Sequence, residues 1–522
     1  MTGGALLIAG TGSDVGKSVL TAGLCRSLAR RGISVAPFKA QNMALNAAVT
    51  ADGVEIGRAQ AMQAAACELE PLAAMNPVLL KPGGNGRTQV VVRGRVLGDD
   101  DARGYQRRKS ALREVVTAAF DELRGRHQVV ICEGAGSPAE INLRPADLAN
   151  LGLARTRDVP VVVVGDIDRG GVFAALHGTL ALLERADQAL VSGFVVNRFR
   201  GDPAVLAPGL DQLGALTGRR VYGVVPYLEG PLIDAEDSLA LGSHRRDPGP
   251  PLGRDRLDVA LMRLPYASNW TDVDPVAVEP GVTVTVTADA GVLAGADLVV
   301  VPGTKATVSD LAWLREHRLD VVLADRARRR APTLAICGGC QMLGERIDDE
   351  VESGSGVTAG LGLLPVATRF AADTRLPRVA GHSSLFAAPA TGYEIHHGRL
   401  TGPDGAVWLT AEDGRAGGWA ADAVLGTSWH GLLESDQLRR ALLSWVADRR
   451  GKAFRAGVVD YAEVRAARLD AFADAVDTHL DVAALDRLIA DGAPPGLPLI
   501  PPAGVLPASV ASEPLTLDEA AS

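Results

Sequence analysis

Residues 331–344 read APTLAICGGCQMLG, and this stretch decides the fold of the second half of the chain. Its apolar beginning predicts a short buried strand that ends at Ile336, and the residues after the Gly-Gly pair predict a helix. A cysteine on such a tight strand-to-helix turn projects clear of the backbone, where the amide of Gly338 can bind a developing oxyanion. The start of a helix also favours a thiolate. The stretch therefore predicts a nucleophile elbow that presents Cys337.

A histidine far downstream is the candidate base for this cysteine. Residues 424–433 read VLGTSWHGLL, so a second apolar run delivers His430 at its end. A histidine activates a thiol when the two side chains meet in space. The residues thus predict a Cys/His acyl-transfer site. His396 and His397 compete for the role of base, and we assign both to structural positions in a turn.

Cys337 and Cys340 also form a C-x-x-C pair, which occurs in zinc sites and in redox sites. The sequence contains no second such pair and no H-x3-H pattern that would complete a zinc site. A buried structural cysteine would not need the Gly-Gly pair that follows Cys337. We therefore favour a nucleophile over a redox cysteine and over a structural one.

The beginning of the chain contains a second informative stretch. Residues 5–9 predict a buried strand, residues 10–18 read GTGSDVGKS and predict a phosphate-binding loop, and residues 19–30 predict a helix. In such a loop Lys17 neutralises phosphate charge, and the Ser18 hydroxyl can bind magnesium. The spacing differs from the common pattern, since Thr11 stands where a glycine is expected. The strand before the loop and the helix after it still favour nucleotide binding.

Composition limits the class of protein. The chain has 522 residues, 47% of them hydrophobic, which is enough for two or three separate cores. A net charge of −9 and the lack of a long basic run argue against nucleic acid as a partner. Five cysteines do not suggest a disulfide framework, and no apolar run reaches the ~18 residues of a membrane helix. We expect a cytoplasmic enzyme without a membrane partner, and homo-oligomerisation stays open.

Short apolar runs alternate with helical patterns in the first half of the chain. The runs lie at residues 34–38, 128–132, 159–164, 193–196 and 221–225. Such alternation predicts an α/β fold with a parallel sheet and helices on both faces. A Pro- and Gly-rich stretch then precedes a second α/β unit. The predicted divisions are a P-loop domain at 1–242, a linker at 243–256, a second domain at 257–450, a helical segment at 451–490 and a loose tail at 491–522.

Several stretches of the chain resemble one family. They read PFKAQNM at 37–43, EGAGSPAEINL at 133–143, GDIDRGGVFA at 165–174, GFVVNRFRGD at 193–202, LPYASNWTD at 264–272, PGTK at 302–305 and YEIHHG at 393–398. Together they resemble the cobyric acid synthase family over about residues 6–489. The resemblance implies two doubly wound α/β domains. The first is a P-loop NTPase-like amidoligase (synthetase) with a parallel sheet, and the second is a class I glutamine amidotransferase-like domain with a flavodoxin-type sheet.

The resemblance also implies a reaction. Glutamine and ATP would serve to amidate the b, d, e and g carboxylates of adenosylcobyrinic acid a,c-diamide, through acyl phosphates and through ammonia released at the Cys/His site. The corrinoid, glutamine and ATP would be substrates, with Mg²⁺ as the ion that accompanies ATP. No tightly bound organic cofactor is implied.

The resemblance further assigns residues to roles. The ATP site would comprise Gly12, Gly16, Lys17 and Ser18, and Lys39 would face the transferring phosphoryl group. The metal ion would be held by Ser18, Glu133 and Glu55. The glutaminase site would use Cys337 and His430, with Gly303 and Gly338 at the oxyanion. Two positions depart from the class I pattern, because Ala335 replaces a usual glycine and Leu432 a usual glutamate. The orienting group for His430 stays open between Glu434, Glu394 and a plain Cys/His dyad.

Two other functions stay open. One is a sister ligase that acts on the a and c carboxylates of cobyrinic acid with the same architecture. The other is a P-loop switch ATPase that carries an inert glutaminase-like domain. The presence of both Cys337 and His430 argues against an inert domain.

Overall fold

A computed structural model describes residues 4–230, 234 and 249–501. Packing divides the chain into two units, each discontinuous in sequence. Unit 1 takes its described residues from Met1–Ala40, Phe120–Leu228 and Phe472–Ser522, and unit 2 from Gln41–Ala119 and Glu229–Ala471. The domains predicted from the sequence are continuous stretches of the chain, and their boundaries stay predictions. Residues 243–248 of the predicted linker and 502–522 of the predicted tail lie outside the described residues.

Unit 1 is built on a parallel sheet. In spatial order its described strands are Arg220–Pro226, Val191–Phe199, Val161–Asp166, Gly4–Gly10, Val129–Glu133 and Val35–Phe38. All neighbouring pairs are parallel. The four valines at 161–164 are fully buried. Such an uninterrupted apolar run is typical of a central parallel strand that is covered on both faces, and it confirms the predicted doubly wound sheet.

The first strand of unit 1 determines where a ligand can bind. The next strand of the sheet along the chain, Val35–Phe38, lies on one side of this strand beyond Val129–Glu133, and the chain later crosses to Val161–Asp166 on the other side. At such a switch point the loops after the strands diverge and leave a crevice at their carboxyl ends. Gly4–Gly10 ends in this crevice, and the helix Lys17–Arg30 begins there. The predicted strand, loop and helix at residues 5–30 are therefore confirmed.

Unit 2 contains a mixed sheet around the elbow. Its described strands are, in spatial order, Val282–Thr287, Leu257–Met262, Leu298–Val301, Thr333–Ile336, Val424–Thr427, Ala416–Ala421, Val407–Ala411, Arg378–Ser383 and Ala388–Tyr393. The first five are parallel, and their order along the chain is 2-1-3-4-5. This is the flavodoxin order. The predicted flavodoxin-type sheet is confirmed, and antiparallel strands extend it.

Smaller sheets complete unit 2. Two of them contain four strands each in the described part of the chain: Gly356–Ala359, Arg346–Asp349, Ala367–Arg375 and His396–Thr401 in one, and Gln41–Met43, Val78–Pro82, Thr88–Val92 and Arg95–Asp100 in the other. Two strand pairs join Ala267–Ser268 to Gly303–Thr304 and Ala47–Val49 to Glu55–Gly57. The segment Gln41–Ala119 thus packs in the same unit as the elbow.

The helices fill the spaces around these sheets. In unit 1 the described α-helices are Lys17–Arg30, Leu151–Arg157, Val172–Ala181, Arg185–Gln188, Pro203–Thr217 and Val482–Asp491. In unit 2 they are Arg58–Ala66, Asp274–Ala277, Ala290–Gly295, Thr307–Glu316, Leu319–Arg328, Gly338–Leu343 and Asp436–Arg450. Two further helices have residues in both units: Ala102–Arg126 and Tyr461–His479. Tyr461–His479 and Val482–Asp491 fall in the region of the predicted helical segment, whose bounds stay a prediction. Within the ranges given above, no helix has both the length and the apolar character that crossing a membrane requires.

Candidate functional site

Cys337 lies on a strained turn between a strand and a helix. The buried strand Thr333–Ile336 precedes it, and the helix Gly338–Leu343 follows. The Cys337 backbone has φ 49° and ψ −112°, which a residue with a Cβ rarely adopts. Such conformations cost about 1–3 kcal/mol and persist where the surrounding structure enforces them. Here the Cys337 amide donates to Thr427 O at 2.7 Å, which ties the turn to the neighbouring strand. The predicted elbow is present.

The Gly-Gly pair allows backbones to approach closely. A Cβ on Gly338 would lie 2.9 Å from the Thr304 amide nitrogen, and a Cβ on Gly339 would lie 2.4 Å from Val301 O. Any larger residue would push the elbow away from the adjoining backbone. A Cβ on Gly303 would likewise lie 2.9 Å from His430 Cε1. The predicted oxyanion residues Gly303 and Gly338 therefore both border the site, and their role at the oxyanion stays a prediction.

Asp272 orients the candidate base. His430 Nδ1 lies 2.7 Å from Asp272 Oδ2, and the amide of Gly431 donates to Asp272 Oδ1 at 2.8 Å. Both carboxylate oxygens are thus engaged by the turn that carries His430. With Nδ1 occupied, the other ring nitrogen is left to hydrogen-bond with Cys337. Cys337, His430 and Asp272 form the arrangement of a nucleophile, a base and an orienting acid.

The surroundings of His430 favour its protonated form. Burial lowers the pKa of His430, but the negative charges of Asp272 and Cys337 and the hydrogen bonds to both outweigh burial and raise the pKa to about 10. Tyr393 stacks on the imidazole with a centroid distance of 5.7 Å. Backbone hydrogen bonds also pair Tyr393 with His430 in both directions. The ring is therefore held in place and is ready to donate a proton to a leaving group.

The sequence did not identify Asp272, and the groups it suggested have other partners. Glu394 accepts from Ser428 Oγ at 3.1 Å, and Glu434 accepts from Arg58 Nη2 at 2.6 Å. The alternatives of Glu434, Glu394 or a dyad are therefore corrected to Asp272. It lies 158 residues before His430, and the one signal for it was its place at the end of the LPYASNWTD stretch.

The two competing histidines have local hydrogen bonds. His397 Nε2 lies 3.2 Å from Thr374 Oγ1 and its Nδ1 lies 3.1 Å from Ala371 O. His396 Nδ1 lies 2.5 Å from Gly398 O. Both side chains nevertheless line the cavity into which Cys337 opens. Both residues begin the strand His396–Thr401, so the predicted position in a turn is wrong, and their structural role stays a prediction.

The structure places Glu55 in unit 2, where it faces that same cavity. Its buried carboxylate accepts from Lys81 Nζ, and both side chains line the cavity with Cys337 and His430. Ser18 and Glu133, its predicted partners at a metal ion, belong to unit 1. The metal-ligand role of Glu55 remains a prediction, and an ion pair already occupies its carboxylate.

The phosphate-binding loop of unit 1 has the expected geometry. Gly16 has φ 93°, and a Cβ there would lie 2.0 Å from Asn197 Nδ2, so that only glycine fits. Lys17 Nζ donates to Gly12 O at 2.7 Å and to Gly136 O at 3.3 Å. The ammonium group thus lies across the loop at the start of a helix, where phosphate binds in nucleotide sites.

Three predicted residues meet beside this loop. Glu133 is buried at the end of its strand, and its Oε1 accepts from Ser18 Oγ at 2.8 Å and from Lys39 Nζ at 2.9 Å. A lysine and a carboxylate so placed can neutralise a phosphoryl group and bind a hard cation, respectively. Asp14, which sequence reasoning missed, braces the loop through ion pairs to Arg169 at 2.7 Å and Arg198 at 2.8 Å.

The donor set fits Mg²⁺ bound together with a nucleotide. Mg²⁺ prefers oxygen ligands and commonly takes one or two from the protein, with phosphates and water supplying the rest. Glu133 and Ser18 present such oxygens 2.8 Å apart. No cluster of three or more acidic, histidine or cysteine groups that would hold a metal alone occurs among the described residues. Ser18 and Glu133 are thus the residues that would hold the ion.

Replacing Glu133 by glutamine is expected to weaken Mg²⁺ binding on the order of tenfold or more, because a neutral amide is a poor ligand for a hard cation. The Mg²⁺ concentration that gives half-maximal ATP-dependent activity should rise accordingly. Titration of activity with Mg²⁺ at fixed ATP measures this shift. Glu184→Gln, at a surface carboxylate of the same unit, is the matched control. An unchanged Mg²⁺ titration in Glu133→Gln would remove Glu133 from the metal site.

Replacing Asp272 by asparagine is expected to slow glutamine hydrolysis by a factor on the order of 10² to 10⁴, because His430 loses its orienting carboxylate. Asp272 raises the pKa of His430, so its loss should lower that pKa from about 10. With the imidazolium as the predicted proton donor to the leaving group, the alkaline limb of the pH–rate profile should shift to lower pH. Asp413→Asn, at an exposed carboxylate, is the control. A profile with an unmoved alkaline limb would contradict this role.

Two known protein families match the two halves of the chain. Residues 6–236 match the family described as the CobQ/CobB/MinD/ParA nucleotide binding domain, and residues 258–438 match the CobB/CobQ-like glutamine amidotransferase domain. The first match contains the phosphate-binding loop with Lys39 and Glu133. The second contains Cys337, His430 and Asp272.

Curated relatives cover nearly the whole chain. The cobyric acid synthase of Frankia casuarinae is 56% identical over 96% of this chain and 99% of that protein. Those of Nocardia farcinica and Rhodococcus jostii are 56% and 54% identical, over 95% of this chain and 99% and 98% of theirs. Identity at this level over 95–96% of the chain shows that this chain and those proteins share a common ancestor along nearly their whole length. The chain therefore belongs to the cobyric acid synthase family, whose members are glutamine-hydrolysing ligases of cobalamin biosynthesis.

Proposed function

We propose that this chain uses ATP and glutamine to amidate the b, d, e and g carboxylates of adenosylcobyrinic acid a,c-diamide. One observation carries the glutamine-dependent part: Cys337 lies on a strained elbow beside His430, which the buried Asp272 orients. This arrangement suits attack on an amide. Corrinoid, glutamine and ATP are the proposed substrates, and Mg²⁺ is the proposed ion.

In the glutaminase half, the Cys337 thiolate attacks the side-chain amide carbon of glutamine. The His430 imidazolium gives its proton to the nitrogen, and the C–N bond breaks to release ammonia. Water, deprotonated by the now neutral His430, then attacks the thioester, and glutamate leaves. Amides near Gly303 and Gly338 are proposed to bind the oxyanion in both steps. A pKa of about 10 for His430 keeps the imidazolium populated at neutral pH.

In the synthetase half, a substrate carboxylate attacks the γ-phosphorus of ATP, and ADP leaves. Lys17 and Lys39 are proposed to neutralise charge on the transferring phosphoryl group. Ser18 and Glu133 would hold Mg²⁺, which would supply further neutralisation of phosphate charge. Ammonia then attacks the acyl phosphate and inorganic phosphate leaves, which gives the amide. Phosphorylation is needed because a carboxylate oxygen is otherwise a poor leaving group.

Mass spectrometry of the corrinoid product tests the proposal. Incubation with the a,c-diamide, ATP, Mg²⁺ and glutamine should give a product in which four hydroxyl groups have been replaced by amino groups, with partly amidated species on the way. Glutamine labelled with ¹⁵N in its side-chain amide should label every new amide. Cobyrinic acid in place of the diamide separates the sister ligase, since amidation restricted to the a and c positions would contradict the proposal.

A second measurement separates the ligase from a switch ATPase. Release of glutamate should rise strongly when ATP and the corrinoid are both present, and one ATP should be consumed for each amide formed. ATP hydrolysis without any new amide, at all substrate combinations, would favour the switch.

A further inference from the structure

The cavity that contains the nucleophile also contains two ion pairs that the mechanism above does not use. Lys305 Nζ lies 3.1 Å from Glu352 Oε2, and Lys81 Nζ contacts Glu55 Oε1. All four side chains line the cavity together with Cys337. They belong to one unit. The cavity wall thus carries two lysine–glutamate pairs in addition to Cys337 and His430, although the amide that reacts is neutral.

Lys305 and Glu352 occupy fixed positions next to the reacting groups. Lys305 directly follows Gly303–Thr304, the strand whose backbone contacts the elbow at Gly338. Glu352 is held by two donors, since its Oε1 accepts from the Thr307 amide at 3.1 Å and its Oε2 from Lys305. A charge pair fixed to the same backbone as the elbow can set the distance between a substrate's head group and Cys337.

The two pairs differ in how open they are. The side chains of Lys305 and Glu352 are 12% and 16% exposed, whereas those of Lys81 and Glu55 are 8% and 2% exposed. Lys305 and Glu352 also line an adjoining groove bordered by Gly84, Arg87 and Ser353. The Lys305–Glu352 pair therefore lies where the groove meets the cavity, at a place that an entering amino acid would reach.

The electrostatics of this pair suit a zwitterion. Burial raises the pKa of Glu352, and Lys305 and the Thr307 amide oppose that rise only in part. A further cation beside Glu352 would therefore be stabilised. Burial and, after it, the positive charge of Lys305 lower the pKa of His397, which lines the same cavity, so the charge of Lys305 acts within the cavity. An ammonium and a carboxylate on one carbon complement an adjacent carboxylate and ammonium, with charge-assisted hydrogen bonds on both sides.

We infer that the Lys305–Glu352 pair determines specificity for free glutamine, with Lys305 binding the α-carboxylate and Glu352 binding the α-ammonium group. This inference rests on the proposed glutaminase activity. It gives the pair a role in holding the substrate, while Cys337 and His430 act at the other end of the molecule. Peptide-bound glutamine, which lacks both charges, would be rejected.

Two analogues that each lack one charge test the inference. Glutaramate keeps the carboxylate and the amide but lacks the α-ammonium group, and 4-aminobutyramide keeps the ammonium group and the amide but lacks the α-carboxylate. The wild-type chain should prefer glutamine to either. In Glu352→Gln the preference over glutaramate should fall by about 10- to 100-fold, while the preference over 4-aminobutyramide stays. In Lys305→Met the preference over 4-aminobutyramide should fall by about 10- to 100-fold, while the preference over glutaramate stays.

The kinetic constants and a control variant distinguish recognition from general damage. Each substitution should raise KM for glutamine more than it lowers kcat, and amide synthesis from ammonia should persist. Lys452→Met removes a lysine that pairs with Asp297 outside the cavity, and it should leave KM for glutamine unchanged. Lys81→Met and Glu55→Gln are the rival variants in the same cavity. If Lys81→Met and Glu55→Gln alter the preference for glutamine over the analogues, and Lys305→Met and Glu352→Gln do not, the inference is overturned.

Calorimetric binding of glutamine to Cys337→Ser chains keeps this test separate from turnover. Glutamine should bind to Cys337→Ser, and binding should weaken by about 10- to 100-fold when Glu352→Gln or Lys305→Met is added. Equal affinity for glutamine and glutaramate would overturn the inference and leave the proposed function standing. Tight, charge-dependent binding of glutamine without any corrinoid amidation by the wild-type chain would contradict the proposed function and leave the inference standing.

Discussion

Replacing Cys337 by serine is expected to abolish amide synthesis from glutamine, with a fall in rate on the order of 10⁴ or more, while synthesis from ammonia continues. Serine keeps the shape of the elbow but is far less acidic, so the base cannot generate a comparable nucleophile at neutral pH. High ammonium at alkaline pH supplies the free ammonia that the glutaminase half no longer makes. Parallel assays of corrinoid amidation with glutamine and with ammonium chloride measure both rates.

Cys340→Ala is the matched control for this substitution. Cys340 lies three residues further along the same turn and helix, is fully buried and packs against Gly426. Burial raises the pKa of the Cys340 thiol, so this side chain stays protonated and is a poor nucleophile. Its truncation should cost about 1 kcal/mol of stability and leave glutamine use nearly unchanged. Retained glutamine use in Cys337→Ser would remove Cys337 from the mechanism.

Replacing Lys17 by methionine is expected to stop amidation from glutamine and from ammonia alike. A preorganised positive charge on a transferring phosphoryl group is worth ~3 kcal/mol or more, which corresponds to a rate loss of about 10² to 10³. The Lys17 ammonium donates to two backbone carbonyls across the loop, so the fold should survive its loss. Circular dichroism and both amidation assays test this. Arg30→Met, at the other end of the same helix, is the control.

Lys39 requires a paired design. Its ammonium is buried against Glu133, and Lys39→Met alone would break this buried ion pair and leave the charge of the carboxylate in place. The double variant Lys39→Met/Glu133→Gln removes both charges and should fold, yet should lose amidation with either nitrogen source. A Lys17→Met or a folded double variant that converts the diamide with ammonia at the wild-type rate would show that ATP at this loop does not activate the substrate.

Regular elements followed directly from the sequence. The apolar run predicted at 159–164 became the strand Val161–Asp166, and that at 128–132 became Val129–Glu133. Each shift is a residue or two towards the carboxyl end, because strand pairing continues past the apolar run to Asp166 and Glu133. The elbow was predictable for a similar reason, since strand, turn and helix lie within fourteen consecutive residues. The predicted family and its glutamine-dependent ligase activity are confirmed by the relatives.

Contacts between distant residues were not predictable from spacing. Asp272 precedes His430 by 158 positions, and nothing in local periodicity shows that a short helix at Trp270–Val273 meets the turn after Val424–Thr427. The placement of Glu55 was equally beyond a local pattern. Strands read from periodicity do not reveal which core they join, and Glu55–Gly57 packs in the unit of the elbow.

The placement of Glu55 and Lys81 bears on how this protein can be divided. Both precede the glutaminase-like region by well over a hundred residues, yet they form part of the wall around Cys337. A gene fragment that starts at residue 257 would encode the elbow, His430 and Asp272 but would lack that wall. Replacing the glutaminase-like region by that of another protein would therefore require exchange of residues 41–119 as well. Substitutions at Glu55 or Lys81 are therefore expected to affect a cysteine that is encoded far downstream.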